Sequence, residues 1–246
     1  MPKNKKTYYL IILDKSGSMG SVIDETIQGF NEQVQMIKNL QQKHPEQEII
    51  VSLTTFNENV SHDLFMQPPS ELKEMKSAYH TIRRPIFDRL DNQKTPTSSD
   101  KIFYYRTSGM TALYDAIGKS VKKLKKNIKE EIKNDLASAV VVIITDGHEN
   151  SSRKYSYDDI QKMIRKLEKS PNWTFSYLGA TPDAVDIARG LNIRAHNTMR
   201  FEKKNMHGLF AQKLSASFDK YIASKNTGVI SKDFLSTPTE DEKNKD

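Results

Sequence analysis

Short apolar runs alternate with amphipathic segments of helix length along most of this chain, and no other feature constrains its fold as strongly. The runs at 7–13, 137–145 and 173–178 have the length of buried strands. They lack polar alternation, which is typical of parallel strands covered on both faces. We therefore predict an α/β fold: a doubly wound, Rossmann-like and mostly parallel sheet with helices on both faces.

One pair of runs departs from the parallel pattern. Residues 48–56 and 59–66 are separated only by a short polar turn around Asn57. Strands joined so closely pair antiparallel, because a parallel connection requires a crossover of a dozen or more residues. The sequence thus predicts one antiparallel edge strand, and it places the most apolar run, 137–145, at the centre of the sheet.

Two segments do not follow this alternation of strands and helices. The domain is predicted to span residues 1–223, and within it residues 83–101 are polar and contain prolines, so we interpret them as an insertion. The insertion precedes one of the motifs described below and could shape the choice of partner. Residues 224–246 end in a highly charged stretch, for which we expect a disordered tail. The large apolar residues of this tail could still dock back on the domain.

The composition excludes several classes of protein. The chain has 246 residues, of which 36% are hydrophobic, so it can bury one substantial core. It contains no cysteine, which excludes disulfides, thiolate zinc sites and cysteine nucleophiles. No run approaches the roughly 20 apolar residues that cross a bilayer, and the apolar run at 8–13 is too short for a signal peptide. We expect a cytoplasmic protein that makes no contact with a membrane.

The formal net charge of +7 suggests an acidic partner, but the charge is unevenly placed. Much of it lies in residues 118–133, where lysines surround an apolar face that recurs every three or four residues. This pattern is typical of a solvated surface helix, with a basic docking surface as the alternative. Nucleic-acid binding through the same surface is a further alternative, which the lack of interleaved aromatic residues disfavours.

Three loops next to predicted strands or helices carry oxygen-bearing side chains. Asp14, Ser16 and Ser18 follow the first strand, Thr111 enters the lysine-rich helix, and Asp146 follows the most apolar strand. Turn and capping chemistry explains each of them singly. It does not require an acid and two hydroxyls at alternate positions, with two more oxygen-bearing residues at the edge of the sheet where ligands of such folds bind.

Together these residues favour a site for a hard cation. Side chains at alternate positions of an extended loop point the same way, so residues 14, 16 and 18 can face one ion. Carboxylates and neutral hydroxyls, without histidine or cysteine, favour oxygen coordination of Mg²⁺, with Mn²⁺ as the alternative. Few charged ligands would leave the ion electrophilic, so a carboxylate from outside would bind strongly.

The stretches "DKSGSMG", "SGMTALYDAIG" and "ITDG" resemble the von Willebrand factor A (VWA) domain and its metal-ion-dependent adhesion site (MIDAS). Their order and spacing match over essentially the whole predicted domain. The resemblance implies that Ser16, Ser18 and Thr111 coordinate the metal, while Asp14 and Asp146 act directly or through waters. It also implies a bacterial-type, intracellular, single-domain module that binds an Asp or Glu carboxylate of a protein partner and is not an enzyme.

Three residues near these motifs are candidates for the rim or the surroundings of the site. Met110 departs from the resemblance, because the VWA family usually has a small residue there, and it could crowd the rim. Asp115 lies in the first turn of its predicted helix, where an acid favours the helix dipole, and the alternative is a bond to a hydroxyl of the metal loop. His148 is either a contact near the metal or an exposed loop histidine.

The main rival is a metal-dependent hydrolase or phosphatase on the same fold. Asp14 ends the first strand, where haloacid-dehalogenase-type phosphatases place their nucleophile. That chemistry requires an aspartate two residues further on, and this chain has Ser16 there. The serine-hydrolase motif G-x-S-x-G also fails around Ser18, because Ser16 stands at the position of its first glycine. The sequence therefore favours a binding module over an enzyme.

Overall fold

The structure is a computed structural model that describes residues 4–78 and 103–235. Its strands are β1 (Lys6–Asp14), β2 (Glu48–Phe56), β3 (Val60–Gln67), β4 (Met75–Ser77), β5 (Phe103–Tyr105), β6 (Ala137–Thr145), β7 (Trp173–Gly179) and β8 (Thr198–Arg200). Six of them form one sheet in the order β3–β2–β1–β6–β7–β8, and β4 pairs with β5 separately.

The helices alternate with these strands. They are α1 (Ile23–Lys43), α2 (Leu113–Lys133), α3 (Tyr157–Glu168), α4 (Ala184–Gly190), α5 (Met206–Gly208) and α6 (Ser215–Asn226). A π-helical segment, Leu209–Leu214, joins α5 to α6. A 3₁₀ turn, Gly17–Val22, leads into α1, and another, Lys203–Asn205, leads into α5.

The predicted fold class is confirmed. Strand β1 pairs in parallel with both β2 and β6, whereas β3 is an antiparallel edge strand next to β2. All nine residues of β6 are buried, as expected for the most apolar run at the centre of the sheet. The strand order reverses between β1 and β6, because the chain builds outward on one side of β1 and then on the other. In such sheets this reversal is where ligands bind.

Each face of the sheet has its own apolar core. On one face, α1, the π-helical segment and α6 cover β1, and the ring of Tyr9 stacks on that of Phe218 at 4.3 Å between centroids. On the other face, α2, α3 and α4 pack on β6 and β7. The apolar positions of α2 at Ile117, Val121 and Ile128 are fully buried, so its lysines lie towards solvent. This two-sided coverage explains why the central strands show no polar alternation.

The end of the domain is a correction to the sequence prediction. Helix α6 runs past residue 223, and Phe234 and Leu235 are 1% and 4% exposed. The Phe234 ring packs near that of Tyr9, and its backbone N–H donates to Asn197 Oδ1 at 2.6 Å. A disordered tail from residue 224 is therefore wrong for residues 224–235, because two apolar side chains in this polar stretch complete the core.

Two predicted regions lie outside the described residues. These are the insertion at 83–101 and the last part of the charged tail, 236–246. Within the described chain, no helix combines the length and the apolar character that crossing a bilayer requires.

Candidate metal centre

Asp14 is the residue around which the candidate centre is built. It is fully buried at the end of β1, where Oδ1 accepts the Ser16 N–H at 2.7 Å and Oδ2 accepts the Thr145 hydroxyl at 2.6 Å. Burial raises the pKa of the Asp14 carboxyl to about 6, while the hydrogen bonds from Thr145 and Ser16 oppose that rise. The carboxylate is thus oriented by the protein but short of positive charge.

The two serines lie side by side. Ser16 Oγ is 3.0 Å from Ser18 Oγ, and the Ser18 hydroxyl donates to Asp146 Oδ1 at 2.6 Å. Because the Ser18 proton points to Asp146, the Ser16 hydroxyl is the donor between the two serines. Ser16 is 1% exposed, whereas Ser18 reaches solvent. The centre therefore reaches solvent on the side of Ser18.

Gly147 shows where the oxygens converge. A Cβ atom placed on Gly147 would lie 3.2 Å from Thr111 Oγ1, 3.5 Å from Ser18 Oγ and 3.9 Å from Asp14 Oδ2. Oxygens from the first and second predicted loops thus lie close to the glycine of the third. Thr111 itself is held by Asn150, whose Oδ1 accepts the Thr111 N–H at 2.8 Å and whose N–H donates to the Thr111 carbonyl at 3.0 Å.

Backbone hydrogen bonds tie the first loop to the loop that carries Thr111. The Gly17 N–H donates to the Gly109 carbonyl at 3.0 Å, and the Ser108 N–H donates to the Lys15 carbonyl at 3.0 Å. Gly109 has a φ of +74°, a backbone conformation that favours glycine, and Glu58 Oε2 occupies the space that a Cβ would take. The loops are held in place by the fold, which is the arrangement that a rigid ligand site requires.

Asp146 carries a buried carboxylate oxygen whose neighbour is a lysine. Its side chain is fully buried, and its Oδ2 has no well-aligned hydrogen bond among the described residues. The neighbour of that oxygen is the ammonium of Lys203, with Nζ at 2.5 Å, and the same Nζ donates to the Ser18 carbonyl at 3.3 Å. Sequence reasoning missed Lys203, because nothing in its local sequence marks one lysine in a chain with 38 lysines and arginines.

The loop after β6 contributes two further residues that the sequence did not single out. Besides Asn150, Glu149 accepts the backbone N–H of Tyr114 at 2.9 Å and the Ser152 hydroxyl at 2.8 Å, and so caps the first turn of α2. The polar residues that continue the chain after Asp146 and Gly147 were the sequence signal that could have pointed to Asn150 and Glu149. Both residues fix the helix that begins just after Thr111.

Two of the three rim candidates, Asp115 and His148, have charged or polar partners other than the hydroxyls. Asp115 Oδ1 accepts the N–H groups of Lys154 and Tyr155 at 2.8 and 3.0 Å, and its Oδ2 pairs with Lys119 at 3.0 Å. The suggested bond from Asp115 to a metal-loop hydroxyl is therefore wrong, because the carboxylate orders the loop before α3 instead. His148 Nδ1 lies 3.7 Å from Asp183 Oδ2.

Met110 lies on the rim. Its side chain is 52% exposed, and its backbone N–H donates to Glu58 Oε2 at 3.1 Å. An exposed methionine beside the centre provides an adaptable apolar surface of the kind found at protein-binding sites.

The residues present fit a hard divalent cation. They offer two carboxylates and three hydroxyls, the buried Asp146 Oδ2 lacks a well-aligned hydrogen bond, and the space beside Gly147 is lined by oxygens. Mg²⁺ and Mn²⁺ prefer oxygen ligands of this type. Over residues 4–78 and 103–235 there is no group of three or more histidine, cysteine, aspartate or glutamate side chains that could hold a metal. The fit therefore depends on neutral hydroxyls.

No protein-family model and no curated protein matches the sequence. Among solved structures, proximal thread matrix protein 1 from the mussel byssus is 13% identical with a TM-score of 0.50, over 84% of this chain and 44% of that chain. A von Willebrand factor type A protein from Catenulispora acidiphila is 13% identical with a TM-score of 0.49, over 87% of this chain and 42% of that chain. The chain thus spans less than half the length of either protein.

Two further structures carry metals. The manganese-loaded TRAP protein of Plasmodium vivax is 14% identical with a TM-score of 0.49, over 84% of this chain and 72% of that chain. The mussel protein has also been solved with zinc in its MIDAS motif. At such identities the likeness concerns the fold alone. The sheet order, the placement of the helices and the match to proximal thread matrix protein 1 together show a doubly wound, Rossmann-like α/β fold, which is consistent with the von Willebrand factor A fold that the sequence resembles.

Proposed function

We propose that this protein is a divalent-cation-dependent interaction module, in which Mg²⁺ or Mn²⁺ captures an aspartate or glutamate side chain of a protein partner. Ser16, Ser18 and Thr111 would hold the ion, with Asp14 and Asp146 binding it directly or through waters. The observation that carries the proposal is that the oxygens of the three loops lie together: Thr111 Oγ1, Ser18 Oγ and Asp14 Oδ2 surround Gly147, and Ser18 Oγ is 2.6 Å from Asp146 Oδ1.

The ligand set explains why a carboxylate would be captured. A bound divalent cation supplies Lewis acidity, and neutral hydroxyls leave more of its charge uncompensated than an all-carboxylate cage does. Thr145 and the Ser16 backbone orient Asp14, and Asn150 orients Thr111. Such outer contacts keep ligands in place and commonly account for 10–100-fold in metal affinity or activity.

A lysine-lined cleft supports an acidic partner. Helix α2 begins two residues after Thr111, and a cleft of about 550 Å³ along it is lined by Lys119, Lys122, Lys123, Lys126, Lys154 and Tyr155. Lys119 pairs with Asp115, and the Lys123 ammonium lies 4.0 Å from the Phe65 ring centroid. The other three lysines have no ion-pair partner within residues 4–78 and 103–235. Complementary charge of this kind steers association with an acidic surface.

Nucleic acid is the alternative partner for the same cleft. Tyr155, its one aromatic side chain, packs against Gly118, where an added Cβ would lie 2.5 Å from the tyrosine ring. That contact leaves the ring in the wall of the cleft instead of offering it to a base. Electrostatic binding of nucleic acid would fall steeply with salt and would persist in chelator. Binding through the metal centre would require the cation even at low salt.

We also propose that the protein is not an enzyme. The Ser18 hydroxyl donates to Asp146, Ser16 donates to Ser18, and no described histidine contacts either serine. Neither hydroxyl therefore has a histidine base, which serine nucleophiles commonly use. Metal-stimulated hydrolysis of p-nitrophenyl phosphate that is abolished by Asp14→Asn would contradict this proposal. A cytoplasmic location stays a prediction from composition.

The test is capture of a partner from the source cell with immobilised protein, in Mg²⁺ and in EDTA. The wild type should retain an interacting protein in Mg²⁺ only, and Asp14→Ala should retain none. Ser21→Ala is the matched control, because Ser21 lies on the same 3₁₀ turn and its hydroxyl donates to the Ser18 carbonyl at 3.4 Å, its one side-chain hydrogen bond within residues 4–78 and 103–235. A partner that is retained equally in EDTA and by Asp14→Ala would overturn the proposed function.

A further inference from the structure

The ammonium of Lys203 lies against one carboxylate of the candidate metal centre. Its Nζ is 2.5 Å from Asp146 Oδ2 and 3.3 Å from the Ser18 carbonyl oxygen. Asp146 is the carboxylate that also accepts the Ser18 hydroxyl, so Lys203 is attached to a group shared by two of the predicted motifs. This is a cation on a carboxylate that a metal ion would use.

A divalent cation and this ammonium would compete for the same carboxylate. The Asp146 side chain is fully buried, and its Oδ2 has no well-aligned hydrogen bond. One carboxylate carries a single negative charge, so Asp146 can neutralise either the ammonium or the divalent cation. Two cations a few ångströms apart in a partly dry site repel each other strongly. We propose that Lys203 is a built-in competitor of the divalent cation and must withdraw before the centre can be loaded.

The position of Lys203 in the chain suits this role. It begins the 3₁₀ turn Lys203–Asn205, between the edge strand β8 and helix α5. Its side chain is 39% exposed, so the stem can swing into solvent without opening the core. Because the ammonium is tethered, it competes at a high effective concentration whatever the concentration of protein. The neighbouring Lys204 points elsewhere and pairs with Glu202 at 2.8 Å.

The consequence is a threshold in the concentration of the divalent cation. The apparent affinity of a site falls in proportion to the fraction of molecules in which the site is free. A centre closed by Lys203 in most molecules would therefore take up metal, and through it a carboxylate partner, only above a raised cation concentration. This inference rests on the proposed function, because it assumes that the centre binds a divalent cation.

The test measures Mn²⁺ binding by calorimetry for the wild type and matched lysine variants. Lys203→Met should bind Mn²⁺ at least about tenfold more tightly than the wild type, and Lys203→Arg, which keeps the charge, should stay near the wild type. Lys15→Met removes the same charge from the first loop without breaking an ion pair in the described chain. It should shift the affinity by no more than about threefold, because the Lys15 ammonium makes no ion pair in the described chain and its field is screened by salt.

A second measurement, of melting temperature without metal, should show a loss for Lys203→Met where the first shows a gain. In EDTA, Lys203→Met should melt about 2–4 °C below the wild type, because the buried Asp146 carboxylate loses its counter-charge, whereas Lys204→Met should melt with the wild type. Equal Mn²⁺ affinity of the wild type, Lys203→Met and Lys15→Met would overturn the competition and leave the proposed function standing. Absence of Mn²⁺ binding in all of them, Lys203→Met included, would overturn both.

Discussion

The two ends of strand β1 each hold a buried ionisable side chain and surround it in different ways. At the amino end, Lys225 of α6 is 1% exposed, and its Nζ donates to the Lys6 carbonyl and the Thr7 hydroxyl, both at 2.7 Å. At the carboxyl end, Asp14 is fully buried among hydroxyls and a second carboxylate. Burial lowers the pKa of Lys225 to about 7 and raises that of Asp14 to about 6.

The difference lies in how completely each group is partnered. Lys225 closes a contact between the last helix and the first strand, and its hydrogen bonds are made by this chain alone. At the carboxyl end, Asp146 Oδ2 has no well-aligned hydrogen bond and faces the partly exposed ammonium of Lys203, while hydroxyl oxygens of two other residues lie around Gly147. The comparison teaches that a buried polar group with complete partners stabilises a fold. A cluster of buried oxygens whose hydrogen bonds are incomplete can bind a ligand from outside.

The largest expected effect concerns the amino end. Lys225→Ala should lower the free energy of unfolding by about 3 kcal/mol, because it leaves a cavity and removes the donor for Lys6 and Thr7. Urea unfolding measures this loss, and Lys225→Met, which refills the volume, should recover part of it. Mn²⁺ affinity should be unchanged in both variants. A changed Mn²⁺ affinity would show that the two ends of β1 are not independent.

The next effect concerns the carboxyl end. Thr111→Val removes one hydroxyl while keeping the shape of the side chain and the backbone bonds to Asn150. We expect Mn²⁺ binding to weaken about hundredfold, or about 2.7 kcal/mol, measured by calorimetry. The free energy of unfolding in EDTA should change by less than about 1 kcal/mol, because no buried partner is lost. A large loss of stability with unchanged Mn²⁺ affinity would contradict the contrast between the two ends.

The smallest effect is a pH dependence that belongs to the amino end. The pKa of Lys225 is about 7 in the folded protein, against an ordinary value of 10.5. Between these values the unfolded chain binds more protons at Lys225 than the folded one, so stability rises with pH across that window. From pH 7 to pH 9 the wild type should gain about 2 kcal/mol relative to Lys225→Met. Urea unfolding at the two pH values measures the difference, and parallel curves would refute it.

Much of the fold was predictable because burial leaves a direct mark on composition. A strand covered on both faces must be apolar throughout, and β6 is both the most apolar run and fully buried. The docking of Phe234 was not predictable to the same degree. Two apolar residues in a charged stretch carry no periodicity, and only the space left beside Tyr9 decides that they pack there.

The candidate site also contains residues that were predictable from the sequence and residues that were not. Asp14, Ser16 and Ser18 could be placed together because they are neighbours on one loop. The contacts of Asp115 could not be foreseen, because its partners Lys154 and Tyr155 lie 39 and 40 residues further along the chain, on the irregular loop before α3. A carboxylate in the first turn of a helix is compatible with several partners, and the path of that loop selects one of them.

The sequence alone determined the alternation of strands and helices, the antiparallel edge and the set of oxygen-bearing residues at one edge of the sheet. These follow from side-chain chemistry and from local periods of two and 3.6 residues. Only the tertiary structure decided that oxygens of distant loops meet around Gly147 and that Lys203, 185 residues from Ser18, places its ammonium against Asp146 and the Ser18 carbonyl. The physical reason is that a contact between distant residues depends on the packing of the whole chain, and no local pattern encodes it.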